Sequence, residues 1–142
     1  MADVVSAVRT YLLGVTAVTD AIGQRMYFDR LVQGADFPAV VVWKASESYS
    51  MQLGSRTGLV DTRLTFECID EGPGARLAAN ATAQAILRSG IDAVKGTTNG
   101  VDIRGVAIED GQRNYTDDAR DGGDQNHRYI TTFDLMVSHL ES

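Results

Sequence analysis

The sequence predicts an α+β fold: one domain with a mixed or antiparallel β-sheet, packed by one long helix and an N-terminal helical arm. Three observations predict it. Apolar residues recur at helical spacing near the start (Val4, Val5, Val8, Tyr11, Leu12) and the alanine-rich "ARLAANATAQAILRSGIDAV" is a strong helix former. Apolar and polar residues alternate over 59–70 and again over 128–140, the pattern of half-buried strands. The 142 residues fall in the single-domain range. A chain of that size buries about two-thirds of its unfolded surface, enough for a core without metal or disulfide staples.

Asp3 is placed to cap a helix that begins at Val4, and Gly14 ends or bends it. A second helical piece, "VTAVTDAIG", closes on Gly23, a residue suited to a C-terminal cap. The apolar "YLLGVTAV" is far short of the about 20 residues that a bilayer requires. Asp3 precedes Arg9, unlike the basic start of a signal peptide, so this run reads as a cytosolic helix. Residues 26–31 read as a short strand and "VQGAD" as a loop. Phe37 before Pro38 is pushed into an extended conformation. A strand follows over 39–50, whose "AVVVW" is apolar on both faces; this places it inside the sheet, with Trp43 in the core.

"SMQLGSRTG" shows no apolar period and reads as a loop. In the strand 59–70, Val60, Leu64, Phe66 and Cys68 point to the core. Asp61, Arg63, Thr65 and Glu67 point to the opposite face, which is wet or meets a partner. "EGPG" stops it, and a helix runs over 75–94 with a bend at Gly90. "KGTTNG" reads as a turn before a strand over 101–115, where Gly105 marks a bulge. The acidic "TDDARDGGDQN" reads as a loop. The last strand, 128–140, turns Tyr129, Thr131, Phe133, Leu135 and Val137 to one side. There is no internal repeat.

Thirteen basic against 19 acidic residues give a net charge of -6, with no Lys/Arg cluster to neutralise phosphates. Cys68, the single cysteine, excludes an intramolecular disulfide and a Cys-rich zinc site, and reads as a buried inert thiol. His127 and His139 lack ligand spacing and read as surface or strand-end residues. No strand–GxGxxG–helix unit, P-loop or GxSxG elbow is present, so neither a cofactor nor catalysis is expected. The remaining candidate is the acidic loop. Asp117, Asp118, Asp121 and Asp124 are hard oxygen ligands suited to calcium, but Ala119 and Arg120 break EF-hand spacing and Gly122-Gly123 suits a solvated hairpin tip. An alternative reading stays open here: a small α+β ligand-binding or enzyme domain with a divalent-metal loop at 117–124. Arg56 and Arg63, near the other long loop, suit an acidic partner.

The segments "IGQRMYFDRLVQGADFPAVVVWKASES", "DTRLTFECID" and "ARLAANATAQAILRSGI" occur in an order that resembles the tail completion or tail terminator family of long-tailed bacteriophages and prophages. Gly23, Arg25, Met26, Tyr27, Asp29, Arg30, Gly34, Phe37, Pro38 and the valines at 40–42 match the family's first motif. Arg63 through Asp70 and Leu77 through Leu87 match its later strand and helix, and "RYITTFDLMVSHL" suits its closing strand. Ala39 replaces a frequent aromatic, the first loop lacks an early proline, and "NYTDDARDGGDQNHR" is longer than in the simplest members.

The resemblance implies one tail-terminator-like domain over residues 1–142. It implies a non-catalytic virion protein, made in the host bacterial cytoplasm. Family members form a hexameric ring that caps the tail tube and joins it to the head connector. The implied partners are copies of the same chain, the tail tube protein and a connector or neck protein. DNA passes through the lumen without specific binding, and no membrane is involved. Ring closure needs heterologous contacts between copies. The protruding loops and polar strand face offer Asp29, Arg30, Met51, Gln52, Leu53, Arg56, Arg63, Asp117, Asp118, Asp121 and Asp124 as contact candidates.

Overall fold

The computed structural model describes residues 3–31, 34–52, 55–72, 74–117 and 128–140. Helix α1 spans Val4–Leu12 and is capped as expected, with the Asp3 carboxylate accepting the Val5 and Ser6 amides at 3.4 and 3.3 Å. These amides have no carbonyl partner inside the helix, so the cap satisfies them. Val4, Val5, Ala7, Val8 and Leu12 are buried. The chain breaks at Gly14 and bends by 92° into α2, Thr16–Ile22. Gly23 closes α2 at φ 60, ψ -120, a conformation that a side chain opposes strongly.

Strand β1, Met26–Phe28, stops earlier than the sequence suggests. Asp29 turns left-handed at φ 67, and the Arg30 amide bonds back to the Phe28 carbonyl at 2.7 Å. Across the loop, Arg25 Nε donates to the Pro38 carbonyl at 2.9 Å and the Val40 amide to the Arg25 carbonyl at 2.9 Å, which holds the exit of the loop beside its entry. The Phe37–Pro38 bond is cis. Strand β2 begins directly after it and spans Ala39–Gln52.

Strand β3, Ser55–Glu71, pairs antiparallel with β2 down to Gln52 opposite Ser55. The segment expected as a loop is therefore the outer part of a long hairpin, with Leu53 and Gly54 outside the described residues. Residues 44–49 are exposed on both faces. They belong to the strand expected over 39–50, which is found and runs two residues further.

Helix α3 is shorter than expected, Ala75–Leu87. Gly90 at φ 83 ends the helical run and starts a 3₁₀ turn, Ile91–Ala93, that buries Ile91. The Tyr11 hydroxyl donates to the Ser89 carbonyl at 3.0 Å and ties this end to α1. "KGTTNG" is more than a turn: Gly96–Thr98 forms β4, antiparallel to the start of β5, Val101–Asp117. Asn99 and Gly100, at φ 48 and 80, make the two-residue connection, which needs both residues left-handed. The bulge at Gly105 occurs as expected, and β6, Arg128–Leu140, is the predicted last strand.

The sheet order is β1-β2-β3-β6-β5-β4. The β1–β2 pair is parallel and the other pairs antiparallel, so the sheet is mixed. It curls into a half-barrel within a single α+β domain. The main core lies between the helices and one sheet face. At its centre the rings of Phe66 and Phe133 stack 5.0 Å apart, both fully buried, on strands paired across 13 residues of β6. Cys68 lies in this core, and burial pushes its thiol far above the ordinary range, so it stays neutral. On the opposite face Val41, Ile69 and Ile130 form a second cluster with Leu31, Phe37 and Trp43 packed at its margin. Trp43 is thus half-buried there rather than in the main core. His139 lies at the end of the last strand, as expected, and is buried there. Its Nδ1 donates to the Leu140 carbonyl at 3.1 Å, leaving Nε2 to accept the Thr62 hydroxyl at 2.8 Å.

Replacing Phe66→Ala or Phe133→Ala should cost about 3–5 kcal/mol each. The double variant should lose less than the sum, because the two truncations share one cavity. Urea unfolding followed by circular dichroism measures all three.

Candidate assembly surface

Two stretches of sheet edge are uncovered among the described residues. Strand β1 pairs only with residues 40–42 of β2, so 43–52 is open edge. Strand β4 pairs only with 101–103 of β5, so 104–117 is open as well. On the first edge Lys44 Nζ donates to Glu47 at 3.0 Å and the Tyr49 hydroxyl to the same carboxylate at 2.9 Å. These bonds raise the Lys44 ammonium and lower the Glu47 carboxyl from their ordinary ranges, the Lys44–Glu47 bond first in both cases. The pair is solvated, so it adds little stability. On the second edge Arg104 is bidentate to Asp102 at 3.1 and 3.0 Å, and Ala107, Ile108 and Glu109 are exposed. Each edge carries a large apolar side chain in water, Tyr49 at 45% and Ile108 at 40% exposure.

The sheet face away from the helices is polar along the middle of β3 and β6, yet Thr65, Thr132 and Asp134 on it are buried. Asp134 accepts from Arg63 Nε at 2.9 Å on one oxygen and from Arg113 at 3.2 Å on the other. One carboxylate thus links three strands, β3, β6 and β5. Nearby, the Ser138 hydroxyl donates to Asp61, and Arg128 donates twice to Glu71 at 3.1 and 2.7 Å while lying 5.5 Å over the Phe37 ring. The curled face keeps its arginines paired with carboxylates of the same chain, which leaves a polar surface of fixed shape.

Arg63, expected as a contact, therefore braces this face. Asp29 and Arg30 are exposed in the turn after β1. Met51 and Arg56 face each other in register near the end of the β2–β3 hairpin, with Gln52 one step further out. Asp117 closes β5 opposite Arg128, which is opposite Glu71. Leu53, Asp118, Asp121 and Asp124 lie outside the described residues. The hairpin end and Asp117 are thus at opposite ends of β3, separated by roughly 50 Å of strand at about 3.3 Å per residue. The structure brings Met51, Gln52 and Arg56 together and separates them from Asp117. Asp134 and Arg113 escaped sequence reasoning: an acidic residue inside an alternating strand gives no sign of which arginine it meets.

Among the described residues no group of three or more His, Cys, Asp or Glu is arranged to hold a metal, and no single helix is long and apolar enough to cross a membrane.

The chain is thus a half-barrel with helices on one side, a braced polar face on the other and, among the described residues, two open sheet edges. The model of the family "Tail completion protein gp17" matches residues 6–138. The chain belongs to this family of phage tail completion proteins, structural components of the virion tail. Its fold is similar to that of a chain in the virion of a native gene transfer agent particle, with a TM-score of 0.58 and 14% identity over 94% of this chain and 92% of that one. No curated protein matches the sequence.

Two outcomes follow from the charges. Asp134→Ala should destabilise the fold by about 1–3 kcal/mol, since it removes the carboxylate that Arg63 and Arg113 both bond, and the loss should shrink in high salt; chemical denaturation at two ionic strengths tests this. Asp70 on β3 has its carboxyl raised above the ordinary 3.8 by burial. The folded state then holds the proton more tightly than the unfolded one. Its contribution is fully present below the unfolded value and is lost as pH rises through the raised value. Asp70→Asn should thus be more stable than the natural chain at pH 7, by less than about 1 kcal/mol for a half-exposed group. The gap should close below about pH 4, as thermal melts across pH would show.

Proposed function

We propose that this protein is the ring that finishes the tail: six copies cap the completed tail tube and join it to the head connector, without catalysis. Membership of the tail completion family over residues 6–138 carries this reading. The architecture supports it. A ring needs two different surfaces on each copy, and the chain presents two different open edges, on β2 and on β5. The tail tube protein and a neck protein would then dock on the two rims of the ring, one rim holding the end of the β2–β3 hairpin and the other Asp117.

The polar face suits a lumen that DNA traverses without sticking. Arg63, Arg113 and Arg128 on it are each paired with a carboxylate, and the net charge of the chain is -6. A phosphate approaching that face gains little from cations already engaged.

Negative-stain electron microscopy and native mass spectrometry should show six-copy rings with a central hole passing duplex DNA, either alone or on tail tubes. Copies that stay monomeric and do not bind tubes would overturn the proposal. Deleting residues 118–124 should leave the melting temperature within a few degrees but impair the joining of heads to tails. A deletion variant that joins them normally removes that segment from the docking surface. A melt raised by millimolar calcium and abolished by EDTA would instead favour a metal loop there.

A further inference from the structure

The ring reading leaves open how neighbouring copies hold each other. Resting on that reading, we propose that the open β2 edge of one copy pairs antiparallel with the open β5 edge of the next, so that the sheet runs unbroken round the ring.

Strand polarity permits this. The four long strands β2, β3, β6 and β5 are antiparallel to their neighbours in turn. Strands β2 and β5 therefore run in opposite directions. Rotation about an axis along the strands keeps each copy's directions, so β2 of one copy meets β5 of the next in antiparallel sense. Pairing β2 with β2 would leave both β5 edges open and close no ring.

The free stretches lie at the same height. Followed across the ladders, Trp43 is level with Thr65, Asp134 and Asp110, and Tyr49 with Val60, His139 and Ile103. The window 43–48 of β2 thus matches 105–110 of β5, just where β1 and β4 leave off. Both edges also bend at neighbouring heights. The β2 register shifts between Lys44 and Ser46 and between Tyr49 and Met51; that of β5 shifts between Ile108 and Asp110 and between Ile103 and Gly105. Such bulges redirect a strand, so matching ones let two edges follow one curve.

The side chains in the window are complementary. Level with each other on the helix-free face are Ser46 and Ala107, and Ser48 and Gly105, small enough for close approach. Lys44 is level with Ile108 and beside Glu109, while Glu47 is level with Val106 and close to Arg104, so opposite charges come near each other along the seam. Ile108, exposed in the single copy, would be covered by the neighbouring strand, with Tyr49 at the end of the seam, level with Ile103. Pairing of this kind supplies main-chain hydrogen bonds to both edges.

The test uses the full chain bound to tail tubes, with Ser46→Cys and Ala107→Cys combined, a second chain carrying Ser48→Cys and Gly105→Cys, and each single variant. Cys68 is fully buried and does not interfere. Thermal melts confirm folding, and mild oxidation followed by non-reducing electrophoresis reads the links. Covalent ladders reaching the full ring in a double variant, at least tenfold above the singles, are expected. Dimers from Ser46→Cys or Ser48→Cys alone would show a symmetric β2 seam and overturn the proposal. Intact rings by microscopy with no ladder in either double variant would overturn the seam and leave the ring standing. Absence of rings and of tube binding in the natural chain would overturn both.

Discussion

The pairing of β3 with β6, locked by Phe66 stacked on Phe133, is the contact on which the rest of the structure depends. It joins a strand from the first half of the chain to the last strand, so it closes a long loop. That closure is entropically unfavourable, and it holds because both rings lose all contact with water at once. With this pair set, every other element has a defined place. Strand β2 comes to β3 by a hairpin and β5 comes to β6 by another, while α1, α2 and α3 cover the face on which the rings project.

The same pairing creates the polar face. A two-faced strand at the centre of a sheet must send alternate residues away from the core, and here the sheet itself curls over them, with Leu31 and Phe37 packed at one margin. Thr65, Thr132 and Asp134 are buried by that curl. A buried carboxylate without partners would be costly, and Asp134 avoids the cost by accepting from arginines on both neighbouring strands. The brace fixes the curvature of the sheet, and the curvature sets the shape that the molecule presents.

Much of the fold was legible in the sequence where burial imposes a period. The Asp3 cap, the break at Gly14, the inward row of Val60, Leu64, Phe66 and Cys68, the Gly105 bulge and the last strand all follow from local rules and are found. The misreadings share a cause. The outer part of the β2–β3 hairpin shows no apolar period, so its strand character rests on pairing with the facing arm of the same hairpin and leaves no trace in composition. Strand β4 is three residues long and is defined by its Asn99-Gly100 turn and its partner, not by its own side chains. Helix α3 stops where Gly90 turns left-handed, although the alanine-rich pattern continues past the stop. The contact candidates were placed by resemblance and by loop position. Asp134 and Arg113 could not be found this way, because a long-range ion pair is invisible in one sequence.

Long open edges are a hazard to a free monomer, since they invite pairing with any exposed strand. Here the hazard is contained by charge and irregularity. Lys44 and Glu47 on one edge, and Arg104 and Glu109 on the other, disfavour an indiscriminate apolar match. The bulges in both edges reject a flat strand, which cannot follow two bends at fixed spacing. Devices that only prevented association would be expected to shorten or cap the edges. Instead β1 and β4 cover three residues each and leave the longer part of both strands free. Edges kept long but made selective suit a chain whose correct partner is another copy of itself, met in one orientation and at one place on the particle.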